Sequence, residues 1–490
     1  MNKKTVERQR RPSAFKTIRS FNFLKIIFCL GLALCLDSCI RYHSLEVVPE
    51  KTLADFQHRS LDSRELHDFF IANGKTLEWP IQTWDLHSLT LAGFFYHPDL
   101  DVARAQWAVA EAGRITAGER PNPDINLTTD YNSSAKGSGV TPWSPGLSFD
   151  ITIETAGKRG YRVSQARHLS RSAYLNIRSA AWQVRARLRQ AFLELYAAQE
   201  QQAILSNRQR ILTENTCIME KQAAIGAISA YELAQARITL QNNRLDLLEA
   251  EKNQAQARIK LASALGLPLS ALEGVRFDFA GVNHNHFIIP EAVARQRAIL
   301  NRSDILAALA DYTACQAALQ LEVAKQYPDI HLGPGYTLDQ SEKKWTLGLA
   351  VSLPLFHNNR GRIYEALARR QEAASRFLAL QTTTLNDIDM ALAGLRSCFE
   401  LADAADEIAK NLQKQTERAR TMFKLGEISK AELLAIQVEL SAAEISRLSA
   451  LVKAQEALGY LENAMQDSPE LDTWLGRIEK KERSIAKGVQ

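Results

Sequence analysis

The sequence predicts an internally duplicated α+β protein in which each half contributes two strands and a long helical hairpin. A turn motif occurs as Gly226-Ala-Ile-Ser-Ala-Tyr-Glu-Leu and again, 200 residues later, as Gly426-Glu-Ile-Ser-Lys-Ala-Glu-Leu. Each copy follows a segment of about sixty residues with the apolar spacing of a helix. Two segments that alternate apolar and polar residues precede each long helix, and such alternation is typical of strands.

The repeated motif has the signals of a tight turn between two antiparallel helices. Gly226 and Gly426 can take the left-handed conformation that ends a helix. A serine caps the next helix, and a glutamate three residues further on, Glu232 or Glu432, completes a capping box. Two unrelated hairpins would explain each motif alone, whereas the constant offset favours duplication.

The first 38 residues have the composition of an export signal. Eight Lys or Arg residues and two acids precede or flank an apolar run, Ile26 to Leu36, that is too short to span a bilayer as a helix. Leu36-Asp-Ser-Cys39 resembles a bacterial lipoprotein cleavage box, which predicts removal of residues 1–38 and lipidation of Cys39, with palmitate. A plain secretory signal or an uncleaved anchor is the alternative.

The signal also explains the basic charge balance. Removal of its eight positive and two negative charges changes the formal net charge from +5 to −1. No basic stripe with interleaved aromatic residues occurs elsewhere, so the sequence predicts no nucleic-acid partner. The cysteines that follow Cys39 are too scattered for a disulfide framework or a metal pair.

Composition and repetition divide the rest of the chain into four segments. They are an N-terminal arm (39–88), a first repeat (89–281), a second repeat (282–466) and a charged C-terminal tail (467–490). The arm is polar and weakly periodic, which predicts irregular structure with one short helix. The tail is predicted to fray.

Four segments have strand-like alternation, two in each repeat. They lie at about 123–131, 146–155, 328–336 and 345–354. A long helix follows each pair and turns at 226 or 426, and no proline interrupts the first helix between Arg159 and Gly226. Sixty helical residues would extend roughly 90 Å.

The strands have the length that a tilted membrane β-strand needs. Aromatic residues near their ends are typical of an interfacial girdle, namely Tyr131, Trp143, Tyr336 and Trp345. A soluble hairpin is the alternative. If the strands span a membrane, several protomers must pool them into one closed barrel, because hydrocarbon does not tolerate open sheet edges.

Repeat, strands, helix length and turn motif together resemble the TolC-like outer-membrane factors, the exit ducts of tripartite efflux pumps and type I secretion systems. The resemblance covers about residues 89–466. Glu154-Thr-Ala-Gly-Lys-Arg159 and Leu353-Pro-Leu-Phe-His-Asn-Asn-Arg-Gly361 are similar to the lipoprotein members of the cation-efflux, CzcC-like type.

This resemblance implies a homotrimer in the outer membrane. Four strands from each subunit would form one twelve-stranded β-barrel, and the long helices would continue as an α-helical barrel across the periplasm. The implied partners are a periplasmic adaptor (membrane fusion protein), an inner-membrane RND or ABC transporter, and outer-membrane lipid. The implied function is passive export of substrates such as heavy-metal cations or drugs.

By the same resemblance, the two turns lie at the periplasmic tip, where the duct closes at rest. The candidate gate residues are Gly226, Ile228, Glu232, Phe423, Gly426, Ile428 and Glu432. Family members can close the aperture with an arginine, acids and an aromatic residue. Ile428 stands where an arginine can occur, so packing by Phe423 and the isoleucines is expected instead of a salt-bridge lock. Simple helix capping is the alternative for Glu232 and Glu432.

Other chemistry has little support in the sequence. Asp150 and Glu154 alternate with apolar strand positions, so they are candidate acids of a water-filled lumen, or else part of an ordinary hydrophilic face. No catalytic motif or P-loop is present, and His284-x-His286 lacks a third ligand. We therefore expect no enzyme activity, cofactor or metal site. The alternatives to an efflux duct are a type I secretion duct and a lipid-anchored periplasmic coiled-coil scaffold without a pore.

Overall fold

The structure is a computed structural model that describes residues 42, 44–74, 78–134, 141–283, 290–339, 342–466 and 474. The chain divides into two units, Met1–Phe56 and Gln57–Gln490. The predicted signal peptide and Cys39 lie outside the described residues. None of the helices in the described ranges is long and apolar enough to cross a membrane.

Long helices account for most of the described residues. The α-helices there are α1 Pro49–Gln57, α2 Arg64–Ala72, α3 Leu86–Tyr96, α4 Pro98–Gly118, α5 Lys158–Ala224, α6 Ala230–Leu265, α7 Glu291–Asn301, α8 Ser303–Ala324, α9 Arg360–Leu425 and α10 Lys430–Met465. The strands there are β1 Thr83–Trp84, β2 Asp124–Tyr131, β3 Trp143–Ile153, β4 Arg276–Phe277, β5 Ile330–Asp339 and β6 Glu342–Val351. Helices α5 and α9 contain 67 and 66 residues, so each is about 100 Å long.

The four long strands form one antiparallel sheet in the order β2-β3-β5-β6. Alternation gives this sheet one apolar and one polar face, since successive side chains point to opposite sides. The apolar face carries Ile125, Leu127, Leu147, Phe149, Ile151, Leu332, Leu347, Leu349 and Val351. The polar face carries Asn126, Thr128, Ser148, Asp150, Thr152, His331, Thr337 and Thr346.

The strands of the second hairpin lie closer to its turn than the sequence predicts. Strand β5 begins at 330 and extends three residues past 336, and β6 begins three residues before 345 and ends at 351. The extra residues pair with each other across the hairpin, Asp339 opposite Glu342, and Lys344 Nζ lies 2.6 Å from Asp339 Oδ2. This ion pair joins the two strands across the hairpin and is compatible with a strand end.

The helices pack as two antiparallel hairpins, α5 with α6 and α9 with α10. Helix α10 also packs along α5, and α8 lies between α5 and α9. Helix α4 packs mainly on α5. Buried small residues such as Ala257, Ala314 and Ala454 allow these helices to approach closely.

The main core surrounds α3, the middle of α5 and the end of α6, with Leu89, Leu188 and Leu265 fully buried. Part of the predicted arm, including helix α2, belongs to this core. Ser63 caps α2 by accepting a hydrogen bond from Leu66 N–H, and Phe70 is buried in the core. The short apolar face of α2 was too brief to stand out in the sequence.

Trp474 in the C-terminal segment is buried, with 2% of its surface exposed. Its ring stacks on Phe94, with the centroids 4.7 Å apart, and the Arg104 guanidinium carbon lies over the Trp474 ring, 5.5 Å from its centroid. The expected frayed tail therefore contains an ordered anchoring residue. The rest of 467–490 lies outside the described residues.

Candidate functional site: helical tip, sheet wall and the junction between them

The two helical turns have the same backbone conformation. Gly226 has a φ of +72° and Gly426 a φ of +78°. In both turns the residue after the glycine donates its N–H to a carbonyl five residues earlier, over 2.8 Å from Ala227 to Gln222 and 2.9 Å from Glu427 to Met422. No heavy atom lies within 4 Å of a Cβ added to either glycine. The backbone conformation, rather than close packing, therefore requires glycine here.

The glutamates of both turns cap helices. Glu232 accepts a hydrogen bond from the Ser229 N–H over 2.7 Å, and Glu432 accepts the equivalent bond from Ser429 over 2.7 Å. The serine hydroxyls accept the return bonds. The backbone hydrogen bonds from the serines lower the pKa of both glutamates below its usual value. The geometry thus accounts for both residues as capping groups.

The second turn also contains a basic residue that the sequence reasoning missed. Lys430, the first residue of α10, lies with its Nζ 3.0 Å from Glu214 Oε1 on α5. The same Nζ lies 5.4 Å from the centroid of the Phe423 ring. Lys430 therefore connects α5, α9 and α10 near the tip. The equivalent position in the first turn is occupied by Ala230. This difference between the two motifs is the sequence signal that could have identified Lys430.

The remaining tip candidates are partly accessible. Phe423 is 36% exposed, and Ile228 and Ile428 are half-buried. Within the described residues, the structure brings Phe423 to Lys430 and does not establish a gate formed by the isoleucines.

The two candidate lumen acids have different surroundings. Asp150 lies on the polar sheet face, and its Oδ1 is 3.1 Å from His331 Nδ1. Glu154 follows the end of β3 and accepts two hydrogen bonds from Arg162, over 2.6 and 3.2 Å. Arg162 thus neutralises Glu154, a pairing that the strand pattern could not reveal because the arginine belongs to α5. The side chain of Asp150 is therefore the more exposed of these two acids.

A charged junction joins the sheet to the long helices. Lys158, the first residue of α5, is 7% exposed, and its Nζ lies 2.7 Å from Asp329 Oδ1, just before β5. Asp329 also accepts a hydrogen bond from the Thr155 N–H over 2.9 Å. Burial opposes ionisation of Asp329, but the bonds from Lys158 and Thr155 prevail and lower its pKa. A cleft of about 490 Å³ opens beside this pair.

Within the described ranges, no group of three or more His, Cys, Asp and Glu side chains could hold a metal ion. The predicted pair His284 and His286 lies outside the described residues.

Known proteins resemble this chain in both sequence and fold. A family model described as outer membrane efflux protein matches residues 96–267 and 294–465. The cobalt-zinc-cadmium resistance protein CzcC of Cupriavidus metallidurans is 25% identical over 366 residues, which are 73% of this chain and 84% of that protein. The pyoverdine export outer membrane protein OpmQ of Pseudomonas aeruginosa is 22% identical over 433 residues, 80% of this chain and 90% of that protein.

The solved structure of CusC has the same fold, with a TM-score of 0.64 and 20% sequence identity. The match covers 80% of this chain and 94% of the CusC chain.

Proposed function

The chain belongs to the outer membrane efflux protein family, and from that premise we propose that it is the exit duct of a tripartite efflux system. It is an outer membrane efflux channel whose helical part lies in the periplasm. The finer proposal is a passive homotrimer that receives substrate from a periplasmic adaptor and an inner-membrane RND or ABC transporter. Cys39 would carry a lipid anchor. No catalytic role is assigned to any residue.

The two-faced sheet is the observation that carries this proposal. Leu127, on its apolar face, is 81% exposed, and Trp345 is 82% exposed. Within the described chain no helix covers that face, and the outer edges of β2 and β6 are unpaired. Lipid would cover the apolar face, and further copies of the chain would pair with the open edges of β2 and β6.

The long helices support the same arrangement. Helix α6 exposes Tyr231, Ile238 and Leu245, which recur every seven residues. Helix α9 exposes Leu401 and Ile408 with the same spacing. A seven-residue apolar repeat is typical of a helix that packs against another helix. Because α5 packs against α10 within one chain, the equivalent partner for α9 is α6 of a neighbouring copy, and repetition of this contact generates a ring.

The polar sheet face would line the lumen. Besides Asp150, it carries Asp130, an exposed acid for which no ion pair is found among the described residues. Fixed negative charges along a water-filled wall favour cations. Together with the resemblance to CzcC, this favours heavy-metal cations as the cargo. The resemblance to OpmQ supports a second candidate, a small organic molecule.

Reconstitution would test the duct. We expect purified full-length protein to migrate as an SDS-resistant, heat-labile trimer and to give single-channel currents in planar lipid bilayers. A protein that remains monomeric and produces no current would favour the periplasmic scaffold. A deletion strain then distinguishes the cargoes: sensitivity to divalent metals that is restored by the intact gene supports cations, whereas unchanged metal tolerance contradicts them.

The tip residues are proposed as the resting constriction, with Phe423 as its apolar component. Gly226, Gly426, Glu232 and Glu432 would shape the turns that surround it rather than close it themselves.

A further inference from the structure

The two strand hairpins have matching registers. Residues of β2 correspond to residues of β5 that lie 205 positions later, as Tyr131 does to Tyr336, and residues of β3 correspond to residues of β6 that lie 202 positions later, as Trp143 does to Trp345. The Tyr131–Trp143 and Tyr336–Trp345 ring pairs both have centroids 4.8 Å apart and planes inclined at 58°. The same offsets therefore relate equivalent positions in the two hairpins.

These offsets identify two residues that are equivalent to Lys158 and Asp329 but form no ion pair within one chain. Lys158 begins α5 and follows Gly157, whose φ is +72°; Arg360 begins α9 and follows Asn359, whose φ is +55°. The strand offset relates Asp329, just before β5, to Asp124, at the start of β2. Arg360 and Asp124 are thus the equivalents of a basic and an acidic residue that already form an ion pair.

Arg360 and Asp124 are both exposed, and among the described residues neither has an ion-pair partner. Asp124 begins one edge strand, β2, whereas Arg360 follows the other edge strand, β6, as the first residue of α9. Three strand spacings of about 4.8 Å separate these edges, so the two residues of one chain do not meet. A second copy placed edge to edge would bring them together.

We propose that Arg360 of one protomer pairs with Asp124 of the next, and that β6 joins the neighbouring β2 with Leu353 opposite Leu127. This inference rests on the proposed closed ring of copies. The register follows from the contact of β3 with β5, in which Ile151 lies opposite Leu332. Applying the two offsets converts that pair into Leu353 and Leu127.

The segment after β6 fits this role. Leu353 continues the apolar alternation of Leu349 and Val351, and it is 68% exposed with no strand beside it. The Leu355 N–H bonds to the Leu353 carbonyl over 2.9 Å in the single chain, and Pro354 has no N–H. The new ladder therefore ends at Leu353, where both leucines would lie on the lipid-facing side.

Disulfide trapping tests the register. In a variant with Cys217, Cys315 and Cys398 replaced by serine, Leu353→Cys combined with Leu127→Cys should give covalent dimers and trimers on oxidation in native membranes. Leu353→Cys combined with Ile125→Cys or Thr129→Cys, two residues out of register, should link much less, because a disulfide needs Cβ atoms about 4 Å apart. Preferential linking of a shifted pair would overturn the proposed register.

Charge exchange tests the ion pair. Asp124→Arg and Arg360→Asp should each lower the temperature at which the trimer dissociates in SDS, and the double exchange should recover most of that loss. Asp130→Arg, on the same strand, should give no recovery with Arg360→Asp. Absence of recovery in the Asp124 and Arg360 double variant would refute the pair.

The mass of the uncrosslinked protein in detergent distinguishes failure of the closed ring from failure of the proposed register. A monomer would defeat the closed ring itself, whereas a trimer without the 353–127 link would defeat only this inference.

Discussion

Replacing Asp329 with alanine leaves the Lys158 ammonium buried without the carboxylate that now lies 2.7 Å away. Removing one member of a buried ion pair commonly costs about 3–5 kcal/mol. Asp329 itself is 30% exposed at its side chain, so water can partly replace it, and we expect a loss near the lower limit, about 3 kcal/mol. The Thr155 N–H also loses its hydrogen-bond acceptor, which lowers the stability of the variant further.

The measurement is the free energy of unfolding in detergent micelles, from urea titrations followed by tryptophan fluorescence. Asp339→Asn is the control, because it removes the exposed ion pair with Lys344, which contributes little, and keeps an amide oxygen that can accept the hydrogen bond from the Ser144 hydroxyl. A second variant, Lys158→Met with Asp329→Leu, should regain much of the stability, since it leaves no buried charge unpaired.

The effect of Asp329→Ala should also depend on pH. The pKa of Asp329 is lowered in the folded protein, so its stabilising effect is complete above the unfolded-state pKa and is lost as pH falls through the folded-state pKa. The difference between wild type and variant should therefore shrink in acid. If Asp329→Ala is no more destabilising than Asp339→Asn at neutral pH, the Lys158–Asp329 pair does not stabilise the junction.

Three further predictions concern the tip. Gly426→Ala should destabilise the protein by about 1 kcal/mol, because the left-handed backbone disfavours a Cβ although space is free; an unchanged urea midpoint would contradict this. Glu432→Gln should flatten the pH dependence of unfolding, since the lowered pKa of Glu432 makes its cap contribution complete above the unfolded-state pKa and lost as pH falls; an identical pH profile would refute it. Phe423→Ala with Lys430→Ala should raise the resting conductance in planar bilayers, with Lys252→Ala as a surface control; an unaltered closed-state current would exclude a constriction there.

Some candidate site residues were predictable because their environment is local in sequence. The capping box of Ser429 and Glu432 needs only residues three apart, and the glycine before it ends a helix by its own backbone freedom. Arg162 and Lys430 were not predictable in the same way. Their partners are chosen by how separate elements meet, as when Lys430 reaches Glu214 from another hairpin.

The fold shows the same division. Sequence alone specified the alternating strands, the long helices and the two turns, because periods of two and 3.6 residues depend on neighbours along the chain. Tertiary structure was needed to find that Trp474 is buried against Phe94, that α2 belongs to the core, and that Lys158 meets Asp329 across 171 residues. Strand register and helix packing bring those partners together, and neither leaves a periodic signal in the sequence.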